Sequence, residues 1–371
     1  MNTNNVVGII YANVHDDFIP LLTKKRSMAS VPFGSRYRLV DFHLSNLVNA
    51  GINKIGLITN SNYHSLMDHV GSGRYWDLDR KRGGLKVLPP FNNAAAGVYT
   101  SHIEALSGAM TFLRGCKEEY LILCDSDVVG NFDLTKATAQ HIASGADITY
   151  LYAKGNLPKN NCDIAIFEMD DNSRVKKMNF AHQAQDVCYC LDITIIRRKL
   201  LMELVEKAVE NGYSGMTRDI IAPALDKFKV YGYAAEGFVR VIDSMEAYIE
   251  ANMSLLNADA RADLFCGEHL VFTKTRDDMP TRYGINAKVS NSLIADGCII
   301  KGNVKNCIIF RGVTVEEGST VENCILMQDT KIGQDCSLNF VLADKRVKIR
   351  DNSHISGSQS DYRVLEKEQN I

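Results

Sequence analysis

An α/β fold with a mostly parallel sheet, followed by a parallel β-helix, is predicted from three observations. From residue 1 to about 250, short apolar runs alternate with stretches of helical period, the pattern of a sheet covered by helices on both faces. After Arg282 apolar residues recur every six positions. At 371 residues the chain also exceeds one ordinary hydrophobic core. Together these divide it into an α/β domain over residues 1–257, a linker over 258–284 and a coil domain over 285–371.

The first strand is Val6-Val7-Gly8-Ile9-Ile10, apolar throughout, as a buried strand of a parallel sheet is. Lys54 to Thr59, Glu119 to Cys124 and Ala146 to Tyr152 read the same way, with helices at Asp41 to Ala50, Ser101 to Leu113 and Leu134 to Ser144 between them. The segment Ala258 to Thr281, with Leu264, Phe265 and a charged run from Lys274 to Asp278, reads as the connection. Beyond it Ile294 and Ile300, Val315 and Val321, then Leu326, Ile332 and Leu338, and finally Ile349 and Ile355 keep the six-residue interval. Such a period makes each short strand one wall of a triangular coil, and at about 18 residues per turn Ile285 to Ile355 forms roughly four coils.

Hydrophobic and charged fractions of 46% and 23% belong to a globular protein. A net charge of −2 excludes the basic face of a nucleic-acid binder. The apolar run at Val6 is far shorter than the roughly 20 residues that span a bilayer and has no basic leader, so no membrane contact and a cytoplasmic location are expected. The ten cysteines have neither C-x-x-C pairs nor zinc spacing and are expected to be buried, reduced thiols, with no resident metal. Lys24-Lys25-Arg26 and Arg80-Lys81-Arg82 read as surface charge.

A loop that binds a triphosphate after such a first strand needs glycines and a cation, so that backbone N–H groups can approach the anion. This chain offers Ala12-Asn13-Val14-His15-Asp16-Asp17. Downstream come Pro20-Leu21-Leu22-Thr23, then Val31-Pro32-Phe33-Gly34-Ser35-Arg36-Tyr37-Arg38-Leu39-Val40-Asp41-Phe42, and then Leu44-Ser45-Asn46-Leu47-Val48-Asn49-Ala50-Gly51-Ile52. These blocks resemble the N-terminal signature of bacterial glucose-1-phosphate adenylyltransferases (ADP-glucose pyrophosphorylases), and the resemblance continues over nearly the whole chain. It implies a Rossmann-like nucleotidyltransferase domain followed by a left-handed β-helix of hexapeptide repeats. For catalytic members it implies attack of glucose 1-phosphate on the α-phosphorus of ATP, helped by a carboxylate-bound magnesium ion.

The departures from that pattern fall on the site itself. Ala12 to Ile19 replaces a Gly-Gly-x-Gly-x-Arg-Leu loop and puts Asn13, Asp16 and Asp17 where the triphosphate lies. One carboxylate about 5 Å from one phosphate charge costs on the order of 3 kcal/mol at an effective dielectric near 20. Met28, in Arg26-Ser27-Met28-Ala29-Ser30, takes the place of a lysine, and Tyr99, in Ala96-Gly97-Val98-Tyr99-Thr100-Ser101, the place of a small residue. Asp125, ending Leu121-Ile122-Leu123-Cys124-Asp125, matches a metal-binding aspartate, with a turn-capping role as the alternative. Val241 stands where the second metal aspartate is expected, and Asp243 lies nearly 7 Å further along a strand, as an order of magnitude. Phe180-Ala181-His182-Gln183-Ala184, at the sugar-phosphate lysine segment, has no lysine.

A retained framework with an altered site resembles the GlgD-type subunit, the degenerate partner of a catalytic subunit. The resemblance then implies a regulatory, non-catalytic chain without a cofactor of its own, paired in a heterotetramer with a catalytic subunit that uses ATP and Mg2+. Self-association is a further option. Arg36, Arg38, Arg74, Lys345 and Arg346 are its candidates for holding a sugar-phosphate effector, against a solvated face or an intersubunit ion pair. The competing reading is a weakly active sugar-phosphate nucleotidyltransferase resting on Asp125. An acyltransferase built on the coils would need a histidine between them, and only His269 and His354 lie beyond residue 260.

Overall fold

Val6–Tyr11 lies inside a nine-stranded sheet, between Lys54–Ile58 and Tyr120–Asp125, and Gly84–Leu88 completes a parallel set of four. The computed structural model describes residues 5–90, 99, 101–159 and 164–371. Beyond Tyr120–Asp125 the long strand Val187–Arg197 runs antiparallel, and Ile148–Gly155, Ala165–Met169, Val175–Phe180 and Val230–Ala234 extend the sheet from it. The parallel half gathers its C-terminal strand ends on one edge, where the crevice of an open α/β sheet forms. Ser101 to Leu113, expected as one helix, is two, His102–Gly108 and Met110–Arg114. The break falls at Ala109, directly after Gly108, where helix propensity is lowest.

Helix Leu39–Asn49 explains why the block around it reads as framework. It lies so close to the first strand that a Cβ on Gly8 would come within 2.7 Å of Leu47, so the strand needs glycine there. Its polar residues each tie down another element. Asp41 accepts from the Arg38 backbone N–H at 3.0 Å and from Thr273 at 2.5 Å, and lies 2.6 Å from the buried His69 ring. Ser45 Oγ accepts from the Phe272 N–H at 2.8 Å, while Asn46 bonds Gly130 and Phe132. The connecting segment is thus pinned to the α/β domain, and its first part is the helix Ala258–Phe265, capped by Asn257.

The C-terminal region consists of three five-stranded parallel sheets, the walls of a β-helix. Val304, Val321, Leu338 and Ile355 stack in register, with successive rungs 17 residues apart, as where the Cys324 N–H donates to the Cys307 Sγ, and 15 residues at the first, as between Asn291 and Asn306. The expected 18 therefore overstates the coil. The corners are tight because Asn291, Asn306 and Asn323 adopt left-handed backbone, which asparagine tolerates, and their amides form a ladder continued by Asn339. Among the described residues nine cysteines are free, seven of them buried, with Cys188 half-buried and Cys266 exposed. Among the described residues no helix is long and apolar enough to cross a membrane.

The two domains share a core. Phe33, Phe42 and Tyr248 pack with Ile308, Phe310, Met327 and Leu342 in one buried cluster. Arg26 enters this seam: it is 2% exposed and its Nη2 donates to both oxygens of Asp344, at 2.8 and 2.6 Å. The run Lys24-Lys25-Arg26 is therefore not all surface charge. Lys24 is exposed and pairs with Glu366, whereas Arg26 joins the domains. Arg80 lies on the surface and pairs with Asp77.

Candidate functional site

Tyr11 and Asp125 end adjacent parallel strands and are register partners at the edge where a nucleotide site would form. Asp125 is 1% exposed and faces two imidazoles. His102 Nε2 lies 2.6 Å, and His15 Nε2 3.2 Å, from the same carboxylate oxygen, Oδ2. His102 opens a helix whose N-cap, Ser101, accepts from the Glu104 N–H at 3.2 Å, and its ring meets Tyr11 edge-on at 4.8 Å. His15 is stacked on Phe18 at 4.5 Å, in the single turn formed by Asp16–Phe18.

Burial by itself would raise the Asp125 pKa, but the two imidazoles hold it well below the usual carboxylate range. Burial alone would lower His15, and Asp125 and Asp127 instead push it up to about 10. Asp127, also 1% exposed, is instead pushed well above the usual carboxylate range by burial and by the like charges of Asp125 and Asp192. Burial raises Asp192 as well. Asp192 has left-handed backbone, φ 51°, at an irregularity in Val187–Arg197, a device that re-aims a side chain.

The remodelled loop is held firmly. Asn13 Oδ1 accepts from the Asn60 N–H and its Nδ2 donates to Asp16 and to the Ser61 carbonyl. Asp16 Oδ1 accepts from the Met28 N–H at 2.6 Å, and burial raises the carboxyl to about 6. Asp17 is exposed. The expectation that both carboxylates confront the triphosphate therefore needs correcting: Asp16 is turned into the protein by its bond to Met28, and only Asp17 points to solvent. Val14, His15 and Phe18 wall one side of a cleft of about 670 Å³, which His102, Asp192, Thr217 and Arg218 also line. The loop borders this space without filling it. Tyr99 is half-buried above the first strands and accepts from Asn60 at its carbonyl. The rest of its block, Ala96 to Val98 and Thr100, lies outside the described residues.

Met28 is 1% exposed in the core that joins the domains, so the position held by a cation in the related pattern serves packing here. Met28→Lys is expected to lower stability by about 3 kcal/mol, the effective cost of desolvating an ammonium, without creating phosphate affinity. Urea unfolding and phosphate titration of the variant check both parts. Val241 sits opposite Val128 in a two-stranded pairing beside Asp125. Asp243 is buried, and the clustered ligand atoms at this edge belong to His15, His102 and Asp125. No lysine accompanies the Phe180 block, although the Arg218 guanidinium lies over the Phe180 ring at 5.4 Å.

A magnesium ion does not fit these residues. Mg2+ asks for oxygen ligands in octahedral array, and here the second carboxylate is Val241 while two nitrogen donors crowd Asp125. The effector candidates separate as well. Arg38 and Lys345 come together with Arg26 at the seam, where burial and the neighbouring cations hold Lys345 well below the usual lysine range. Arg38 donates to the Ser65 carbonyl at 2.6 Å. Arg36 lies instead 3.9 Å from Asp296, Arg74 stacks on Tyr75, and Arg346 pairs with Glu368 on the surface. His15, His102, Asp127 and Asp192 were not singled out as site residues by sequence reasoning.

A family model described as nucleotidyl transferase matches residues 18–179, and one described as a GlmU-like C-terminal hexapeptide matches residues 278–365. The chain is 30% identical over 372 residues to a glucose-1-phosphate adenylyltransferase of Bacillus cytotoxicus, covering 97% of each chain. It is 32% identical over 368 residues to the glycogen biosynthesis protein GlgD of Bacillus subtilis, covering 99% of this chain and 97% of that one. A Bacillus cereus glucose-1-phosphate adenylyltransferase is 29% identical over 360 residues, with 94% of each chain covered.

Proposed function

The chain belongs to the glucose-1-phosphate adenylyltransferase family, and we propose that it acts there as a regulatory, non-catalytic subunit in glycogen biosynthesis. It pairs with a catalytic paralogue that makes ADP-glucose and pyrophosphate from ATP and glucose 1-phosphate. The observation that carries this reading is the engagement of Asp125 by His15 and His102, at 3.2 and 2.6 Å, in the place where a catalytic relative needs a metal-bound carboxylate. The well-ordered framework supports it too, since a scaffold for assembly needs the core and the coils but not the phosphate loop.

The test is ADP-glucose formation by this chain alone, by its paralogue alone and by the two co-expressed. A silent single chain with a mixture faster than the paralogue supports the reading. A chain that stays apart from the paralogue on sizing overturns it.

A second reading, a weakly active nucleotidyltransferase, is favoured by one observation, the open cleft of about 670 Å³ beside Asp125. It requires magnesium-dependent pyrophosphate release by the single chain that is lost in Asp125→Ala.

Regulation is proposed to enter at the seam, where Arg38 and Lys345 meet, with a phosphate-bearing effector as ligand. Arginine's fork suits phosphate, and a half-buried ammonium among like charges is relieved when an anion joins it. Lys345→Met is therefore expected to raise stability by about 1 kcal/mol in phosphate-free buffer. It is also expected to abolish a phosphate-induced rise in melting temperature, a gain that for a bound anion reaches about 2.7 kcal/mol at a hundred times its dissociation constant. An equal phosphate response in parent and variant rejects the seam as the anion site.

A further inference from the structure

We propose that His15, His102 and Asp125 form a binding site for a divalent transition-metal ion of the zinc type, in place of the magnesium ion of catalytic relatives. One ligand atom from each of the three residues lies within 4.8 Å of the others. The two Nε2 atoms approach a single carboxylate oxygen at 2.6 and 3.2 Å. Bonds of about 2.0–2.2 Å to a tetrahedral ion place its ligands about 3.3–3.4 Å apart, so the His15 pair already stands near that spacing and the His102 pair reaches it by opening roughly 0.7 Å through side-chain rotation.

The donor set decides which ion. Two imidazoles with one carboxylate suit borderline ions such as zinc, cobalt or nickel, whereas hard magnesium requires oxygen throughout. Three protein ligands leave a fourth position open, as in sites that keep a solvent or substrate ligand. Access comes from the cleft, which His15, His102 and Asp192 line.

Two observations independent of the cluster point the same way. Asp127, two residues from Asp125, is 1% exposed and its Oδ1 has no hydrogen-bond partner, although buried oxygens normally have one. Asp192 is held at φ 51° within a strand, facing the same cleft. The two rings are already oriented for such an ion by Tyr11 and Phe18.

The inference shares the His15–His102–Asp125 geometry with the regulatory reading, but its test does not, because metal binding by the single chain can fail or succeed whatever the chain does beside its paralogue. The experiment uses the full, untagged chain, stripped with a chelator and titrated with cobalt(II) and then zinc, read by visible absorption and bound-metal analysis. One ion per chain with a nitrogen-donor cobalt spectrum, displaced by zinc and not by magnesium, is the expected result. His15→Gln and His102→Gln should each weaken affinity roughly a hundredfold, since even outer-shell changes cost ten- to a hundredfold. Binding unchanged in both folded variants, or no binding by the folded parent, overturns the proposal. Should a variant fail to fold, nitrogen NMR of the parent decides: the two Nε2 resonances shift on zinc addition or the proposal fails.

Discussion

The isolated chain is expected to form ADP-glucose at least about a thousandfold more slowly than a catalytic relative assayed beside it. Removing one donor from a preorganised anion site costs about a hundred- to a thousandfold in rate, and the loss of a metal that bridges the reacting phosphates takes several kcal/mol more. On the regulatory reading both losses apply. The Asn13–Phe18 loop supplies a fixed carboxamide and aromatic walls where N–H donors are needed, and Asp125 is committed to His15 and His102. Direct repulsion contributes less than the sequence suggests, because the Asp16 carboxylate is turned onto the Met28 N–H. The metal seat, not the acidic loop, is therefore the larger part of the expected deficit. A coupled pyrophosphate assay with magnesium checks the figure; a rate within tenfold of the relative would refute it.

The fold was legible because its causes are local. A strand covered on both faces must be apolar along its length, as Val6 to Ile10 and Leu121 to Cys124 are, and those runs became central strands. The coil repeat was legible through inward residues such as Val321 and Leu338. Its true rung length was not, since the length depends on how tightly each corner turns, and the left-handed asparagines set that through backbone geometry. The extent of the connecting helix escaped for another reason: Leu264 and Phe265 are fixed by contacts with Tyr37 and Phe42, far away in sequence.

The site was legible by subtraction only. Met28 and Val241 could be read as losses from residue type alone. What replaced the lost parts could not, because His102 meets Asp125 across 23 residues of sequence through sheet order and helix placement. A signal existed in hindsight: a histidine in the loop after the first strand and another at the first turn of the helix that returns to the same edge, both facing an aspartate at a strand end. Two imidazoles on one sheet edge deserve a joint reading when that edge holds a carboxylate.

Arg26→Met is expected to destabilise the chain by about 3–5 kcal/mol, far more than a surface arginine would. Read from its neighbours Lys24 and Lys25, the position belongs to a basic surface run, and an exposed pair contributes about 0–1 kcal/mol. The structure places it otherwise, with side chains of Arg26 and Asp344 2% and 3% exposed and both carboxylate oxygens bonded by one guanidinium nitrogen. Truncating the arginine strands a charged carboxylate inside the seam, which is where the cost arises. Removing both charges should restore much of the loss, because a buried pair replaced by apolar groups of similar volume is often neutral. The double variant Arg26→Met with Asp344→Leu tests this, although it also removes the acceptor for the Lys345 N–H at 2.7 Å. Urea unfolding of the parent, both single variants and the double closes the cycle. A coupling energy below about 1 kcal/mol would mean that the pair behaves as a surface contact, and that the apolar cluster of Phe33, Phe310 and Met327 alone holds the domains together. A large coupling would make the Arg26–Asp344 pair the polar lock of the seam, the same seam at which an anion bound by Arg38 and Lys345 would have to act.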